Sequence, residues 1–361
     1  MSTELSGKER VWLALHHQEA DRVSICDGLW PNLMARWAED EPVAFQSGTS
    51  PDDAFGYDMV HIRPDMTLRL PSATLEDTEE YTIIRDENGT TIKRWKDESF
   101  PGGPVEHTIR TRENWEEHKS ALQWDSNRVD WDAARRTYEE GRSRGQFIVY
   151  SGAICWDAVI PIIGPETMLY ALADDPEWVC DMFQTLTCLC LAGAEEMLSA
   201  GFDFDGAFFC NDMGHRSGTL FSPRQYDELF LPQDRQLCGF FQSHDMPVTL
   251  HSCGQVKRFV PKIIEGGYAC LNPLEVKAGM DLVELKKTYG RDLAFMGGID
   301  VRKLSDPDPR AIEEEIATKV PLAMQDGGYI YALDGPVTPN VSLERYLHSL
   351  DMVHRYGRYG A

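Results

Sequence analysis

His251-Ser252-Cys253-Gly254 places an imidazole and a thiol two residues apart, directly after the short apolar run Pro247-Val248-Thr249-Leu250. Such a run reads as a buried strand, and side chains at i and i+2 of a strand leave the same face. Both side chains can therefore reach one metal ion. Zinc suits the pair, because it accepts histidine nitrogen and cysteine sulfur in tetrahedral sites, and its catalytic sites keep one position open for substrate. Gly254 lets the chain turn sharply just beyond them. A buried free cysteine beside a hydrogen-bonded histidine explains the same four residues equally well, so their surroundings have to decide.

From residue 147 onward, short β-rich runs alternate with longer helical patterns, as parallel strands joined by right-handed crossovers do. Strands are expected at 147–151, 205–210, 248–251, 268–271, 293–296 and 329–332. Runs at 22–26, after a helix at 7–17, and at 59–62 bring the number to eight. Eight strands close an α/β barrel of the TIM (β/α)8 type. An open doubly wound sheet is the competing architecture, but no G-x-G-x-x-G follows the first strand. The chain, 1–361, reads as one domain with an insertion over about 64–146. Within that insertion the turn Asp86-Glu87-Asn88-Gly89 joins two β-rich runs into a β-hairpin, and Pro101-Gly102-Gly103-Pro104 forms its exit. The hairpin is either a lid over one end of the barrel or a passive flap. The stretch 114–144 reads as charged surface helices.

The active site of such a barrel lies where the strands end. Here those positions are polar. Asp27 follows the first strand, Asn211 and Asp212 the fourth, His251 and Cys253 the fifth, Asn272 and Glu275 the sixth, Asp300 the seventh and Asp334 the eighth. Zinc on His251 and Cys253 needs further ligands. Glu275 stands 22 residues beyond Cys253, room for one helix and one strand, which puts it on the adjacent strand exit. It is the first candidate, with a hydrogen-bonding support of a ligand as the alternative. Asp334 is the second, with helix capping or substrate contact as alternatives. Asn211-Asp212-Met213-Gly214 either holds polar substrate atoms beside an apolar wall of Phe208, Phe209, Met213 and Phe221, or simply ends its strand in an Asx turn. Asp27 and Asn272 complete the expected substrate contacts.

Composition narrows the function classes. A formal charge of −24, from 35 Lys and Arg against 59 Asp and Glu, argues against nucleic acid or an anionic membrane as partner. No apolar run approaches the roughly 20 residues needed to cross a bilayer. Met1-Ser2-Thr3-Glu4 is acidic and begins no apolar signal segment, so a cytoplasmic protein is expected. Nine scattered cysteines are no secreted disulfide framework. Cys188 and Cys190 lie in a helical pattern, where a two-residue spacing points them to different faces and excludes them as a metal pair. No P-loop and no nucleophile elbow is present.

Ordered blocks along nearly the whole chain resemble the uroporphyrinogen decarboxylase superfamily. They are Gly7-Lys8-Glu9-Arg10-Val11, Asp21-Arg22-Val23, Asn211-Asp212-Met213-Gly214, Leu220-Phe221-Ser222-Pro223, His251-Ser252-Cys253-Gly254, Leu271-Asn272-Pro273-Leu274-Glu275 and Gly297-Gly298-Ile299-Asp300. The resemblance implies a TIM barrel. True uroporphyrinogen decarboxylases grip the substrate's carboxylates with an arginine-rich N-terminal segment, and the equivalent stretch here, Asp27-Gly28-Leu29-Trp30-Pro31-Asn32, has no arginine. The similarity is therefore to the zinc methyltransferases that work with corrinoids. That branch uses His-x-Cys plus a later Cys as zinc ligands, with a Glu at the open position in some members. The pair and the Glu map to His251, Cys253 and Glu275. The later Cys region reads Tyr331-Ala332-Leu333-Asp334-Gly335, which puts Asp334 in its place.

The expectation is a zinc-dependent methyltransferase that moves a methyl group between a small O-, N- or S-methyl compound and a corrinoid (cobalamin) carried by a separate protein. The chain itself has no Asp-x-His-x-x-Gly corrinoid block. Demethylation of the donor is the favoured direction, with Asp212 or Asp300 holding or protonating the leaving group. A metal-free decarboxylase of a smaller carboxylic acid is the alternative, and a non-catalytic corrinoid- or metal-binding subunit is a third reading.

Overall fold

Strict alternation along eight short strands decides which side chains enter the barrel. The structure, a computed structural model, describes residues 4–30, 32–40, 51–96 and 102–360. Its strands are β1 (Ser24–Ile25), β2 (Met59–Ile62), β3 (Phe147–Ala153), β4 (Gly206–Cys210), β5 (Val248–His251), β6 (Cys270–Asn272), β7 (Ala294–Met296) and β8 (Tyr329–Tyr331). Met59, Phe147, Val149, Phe208, Cys270 and Met296 pack with one another inside, while Val60, Ile148, Tyr150, Phe209 and Leu250 join the apolar faces of the surrounding helices. Burial on both faces is why these strands read as nearly continuous apolar runs.

All the pairings are parallel, in the order β1-β8-β7-β6-β5-β4-β3-β2. The two ends of that order are consecutive in the chain, so the expected TIM-type barrel is closed but for one seam. Asp58 bridges the seam: its N–H donates to Ile25 O (2.8 Å), and its Oδ2 accepts from Ile25 N–H (2.8 Å). The same carboxylate faces Arg22 Nη1 at 2.9 Å and Arg10 Nη1 at 3.5 Å, which ties the helix Gly7–Leu15 to both strands. Asp58 and Arg10 are each only 4% exposed. Removing one partner of a buried pair strands the other charge, so Asp58→Ala is expected to cost about 3 kcal/mol or more in urea unfolding. A loss under about 1 kcal/mol would show that the seam does not depend on it.

The expected hairpin is the centre of something larger. Ala73–Asp77, Tyr81–Arg85, Thr90–Trp95 and Gly103–His107 form a four-stranded antiparallel meander. Its outer strands escape the sequence pattern because edge strands are kept charged or proline-bearing: one is fully exposed and ends in Glu76-Asp77, and the other contains Pro104. Pro101, in the expected exit turn, lies outside the described residues. Thr90 Oγ1 donates to Pro161 O (2.6 Å), which anchors the meander on the helix Cys155–Ile163 that follows β3. Among the described residues, no helix is long and apolar enough to cross a membrane.

Candidate active site

The registers of β4, β5 and β6 bring the chemistry together. Cys210 pairs with His251 across β4 and β5, so Asp212 and Cys253, each two residues further on, leave the barrel side by side. His251 pairs with Asn272 across β5 and β6, and both point inward. The exits of β4 and β5 are then laced together. Cys253 N–H donates to Asp212 Oδ1 (2.7 Å), Met213 N–H to Ser252 Oγ (3.0 Å) and Gln255 N–H to His215 O (2.9 Å).

Three different donor atoms converge at this seam. The ligand atoms of Asp212, His251 and Cys253 all lie within 4.8 Å of one another, the one such group among the described residues. His251 Nε2 stands 3.3 Å from Cys253 Sγ and 3.6 Å from Asp212 Oδ1. Tetrahedral zinc with bonds of about 2.0–2.3 Å sets neighbouring donors about 3.5 Å apart, close to both distances from His251 Nε2. Asn272 prepares the imidazole. Its Nδ2 donates to Met296 O (3.2 Å), which turns Oδ1 to accept from His251 Nδ1–H (2.6 Å) and leaves the Nε2 lone pair facing the thiol and the carboxylate. Burial, then the Asp212 and Glu275 carboxylates, push the Cys253 thiol well above its usual range. A divalent cation reverses that balance.

The other expected residues sit elsewhere. Glu275 and Asp334 lie outside the donor trio. Glu275 accepts from Gly254 N–H (2.6 Å) and pairs with Lys277 (3.0 Å), so it steadies the turn after Cys253. Asp334 accepts from Val276 N–H (2.8 Å) and Val301 N–H (2.9 Å), clamping the exits of β6 and β7. Asp300 caps the turn Val301–Ser305 and holds Arg302 at 2.7 Å; burial raises its pKa, but the Arg302 contacts outweigh this and bring it below the ordinary value. Asn211 is fully buried and accepts from Trp156 N–H (3.1 Å), which turns it away from the mouth and onto the helix after β3. Met213 is likewise fully buried. Asp27 receives Gly28 N–H, Leu333 N–H and the Tyr346 hydroxyl, and burial still pushes it up to about 7. Asn272 orients His251, a role distinct from the expected substrate contact.

Asp157 is a mouth residue outside that set. Burial, then the neighbouring Asp212 carboxylate, raise it to about 7. Applying the rule of strand exits to β2 and β3, as to the other strands, picks out Arg63 and Asp157.

The turn after Cys253 leaves no spare room. Gly254 has φ +79°, and a Cβ there would come 2.3 Å from the Gly214 carbonyl carbon. Gly254→Ala is expected to push Cys253 out of place and to lower zinc affinity by about 10–100-fold or more, the scale seen when a ligand's support is lost. Competition with a chromogenic chelator reads this directly, and an unchanged affinity would show that the turn does not position the thiol.

Residues 89–356 match the family model described as uroporphyrinogen decarboxylase (URO-D). The chain belongs to the uroporphyrinogen decarboxylase family. This family assignment agrees with the barrel, and so does a solved methyltransferase from Methanosarcina mazei. That protein is 14% identical, with 98% of this chain and 99% of that one covered at a TM-score of 0.66. At this identity the likeness is one of fold. An intracellular xylanase from Thermoanaerobacterium saccharolyticum is 9% identical over 62% of this chain and 76% of its own, and its TM-score of 0.36 carries no argument. No curated protein matches the chain by sequence.

Proposed function

We propose that this family member is a zinc-dependent methyltransferase that moves a methyl group between a small O-, N- or S-methyl compound and a corrinoid held by a separate protein. The observation that carries the reading is the nitrogen, sulfur and oxygen trio of His251, Cys253 and Asp212 at the strand exits. These three side chains would hold zinc, which when bound supplies Lewis acidity to the heteroatom carrying the methyl group.

The rest is done by the chain's own residues. Asn272 fixes the imidazole with Nε2 toward the trio, the Asp212 carboxylate holds Cys253 through its N–H, and Glu275 holds Gly254. A carboxylate as third donor makes the set harder than one with two thiolates. That favours oxygen donors and release of the methyl group from the small molecule. Arginine is absent from the segment 27–32, which speaks against a polycarboxylated porphyrinogen as substrate.

Methyl transfer from a panel of methyl ethers, methylamines and thioethers to reduced free cobalamin tests the proposal. Turnover with at least one donor is expected, lost on chelation and restored by zinc. Transfer that survives complete metal removal, or none from any donor, would overturn it.

A further inference from the structure

The β2 side of the mouth carries a histidine and an arginine. His61 points inward from β2, its Nδ1 2.7 Å from Ser151 Oγ on β3. Its ring meets Phe208 edge-on with centroids 4.9 Å apart, and Phe208 in turn lies 6.3 Å from the His251 ring. One strand therefore carries the contact from His61 to the donor trio. Arg63, two residues beyond His61, leaves on the same face. Its charge acts on both His61 and Cys210, and the Asp157 carboxylate at the β3 exit acts on Cys210 in the opposite sense.

Arg63 differs from the other mouth cations. Lys277 is taken by Glu275 and Arg302 by Asp300, whereas Arg63 is exposed and makes no ion pair or hydrogen bond among the described residues. His61 Nε2 also has no protein partner there. A carboxylate ligand selects the tautomer in which the Ser151 hydroxyl donates to Nδ1 and Nε2 carries the proton.

We propose that Arg63 and His61 bind the carboxylate of the methyl donor, so that the substrate is a small methylated acid whose methyl-bearing heteroatom faces the His251–Cys253–Asp212 trio across Phe208. The inference rests on the methyltransferase reading. It goes beyond that reading by assigning the donor's charge and the residues that sense it. Burial and Arg63 push the His61 pKa down to about 3, so the ring is neutral at physiological pH and the positive charge is that of Arg63, with Asp157 nearby raised to about 7 by burial and the Asp212 carboxylate. One charge with an adjacent N–H donor matches a carboxylate, and a guanidinium is the side chain whose geometry fits that group.

Calorimetric binding to the full-length zinc-loaded protein tests it with two matched pairs: 4-methoxybenzoate against 4-methoxybenzyl alcohol, and methoxyacetate against 2-methoxyethanol. In at least one pair the wild type is expected to favour the acid by about tenfold or more, the scale of one charge-assisted contact. Arg63→Ala should abolish the preference and Arg63→Lys should keep part of it, with zinc content unchanged in both. His61→Ala should weaken acid binding more than alcohol binding. Equal binding of acid and alcohol, a preference that survives Arg63→Ala, or no binding of any probe would overturn the inference. Binding is read without corrinoid or turnover, so the two readings fail separately. An acid preference without methyl transfer sinks the methyltransferase reading alone, and methyl transfer without an acid preference sinks this one alone.

Discussion

Cys253→Ala is expected to abolish stoichiometric zinc and to stop methyl transfer while the barrel stays folded. The thiol is the one soft donor of the trio, and its loss leaves an imidazole and a carboxylate that together hold zinc far less tightly. The fold should tolerate the change, because the backbone N–H of residue 253 still reaches Asp212. Elemental analysis and circular dichroism read the two halves of this expectation. One tightly held zinc per chain in the variant would exclude the site.

The second large effect separates the carboxylates. Asp212→Asn keeps an oxygen to accept from Cys253 N–H but removes the anionic donor, so zinc affinity is expected to fall by more than the roughly 10–100-fold typical of an outer partner. Glu275→Gln likewise keeps an acceptor for Gly254 N–H, and since Glu275 stands outside the trio it should stay within that range. Both variants should unfold close to the wild type. The reverse order of affinities would make Glu275 the third ligand and give Asp212 the supporting role.

These contrasts show what the sequence made legible. His251 and Cys253 stand out because a period-2 pattern and a strand end are local features, readable from ten residues. The eight barrel strands follow from the same local patterns, even though β1 is only two residues long. The third donor depends on something non-local. Only the register of Cys210 against His251 sets Asp212 beside Cys253, and only that of His251 against Asn272 makes Asn272 the imidazole's partner. Spacing alone favours Glu275, which does lie on the neighbouring exit but falls outside the group formed by Asp212, His251 and Cys253. Asp334 lies just beyond β8, three strands from β5, and clamps the exits of β6 and β7. Arg63 and His61 carry no motif. His61 faces inward on β2, and Arg63 follows it just past the end of that strand.

Zinc K-edge X-ray absorption on the purified wild-type protein, with the metal content of the same sample, tests the trio most directly. The expected result is one zinc per chain with a single sulfur at about 2.3 Å and its other ligands nitrogen or oxygen at about 2.0–2.2 Å. Two sulfurs, no sulfur, or a protein that retains no zinc would contradict a centre built from His251, Cys253 and Asp212.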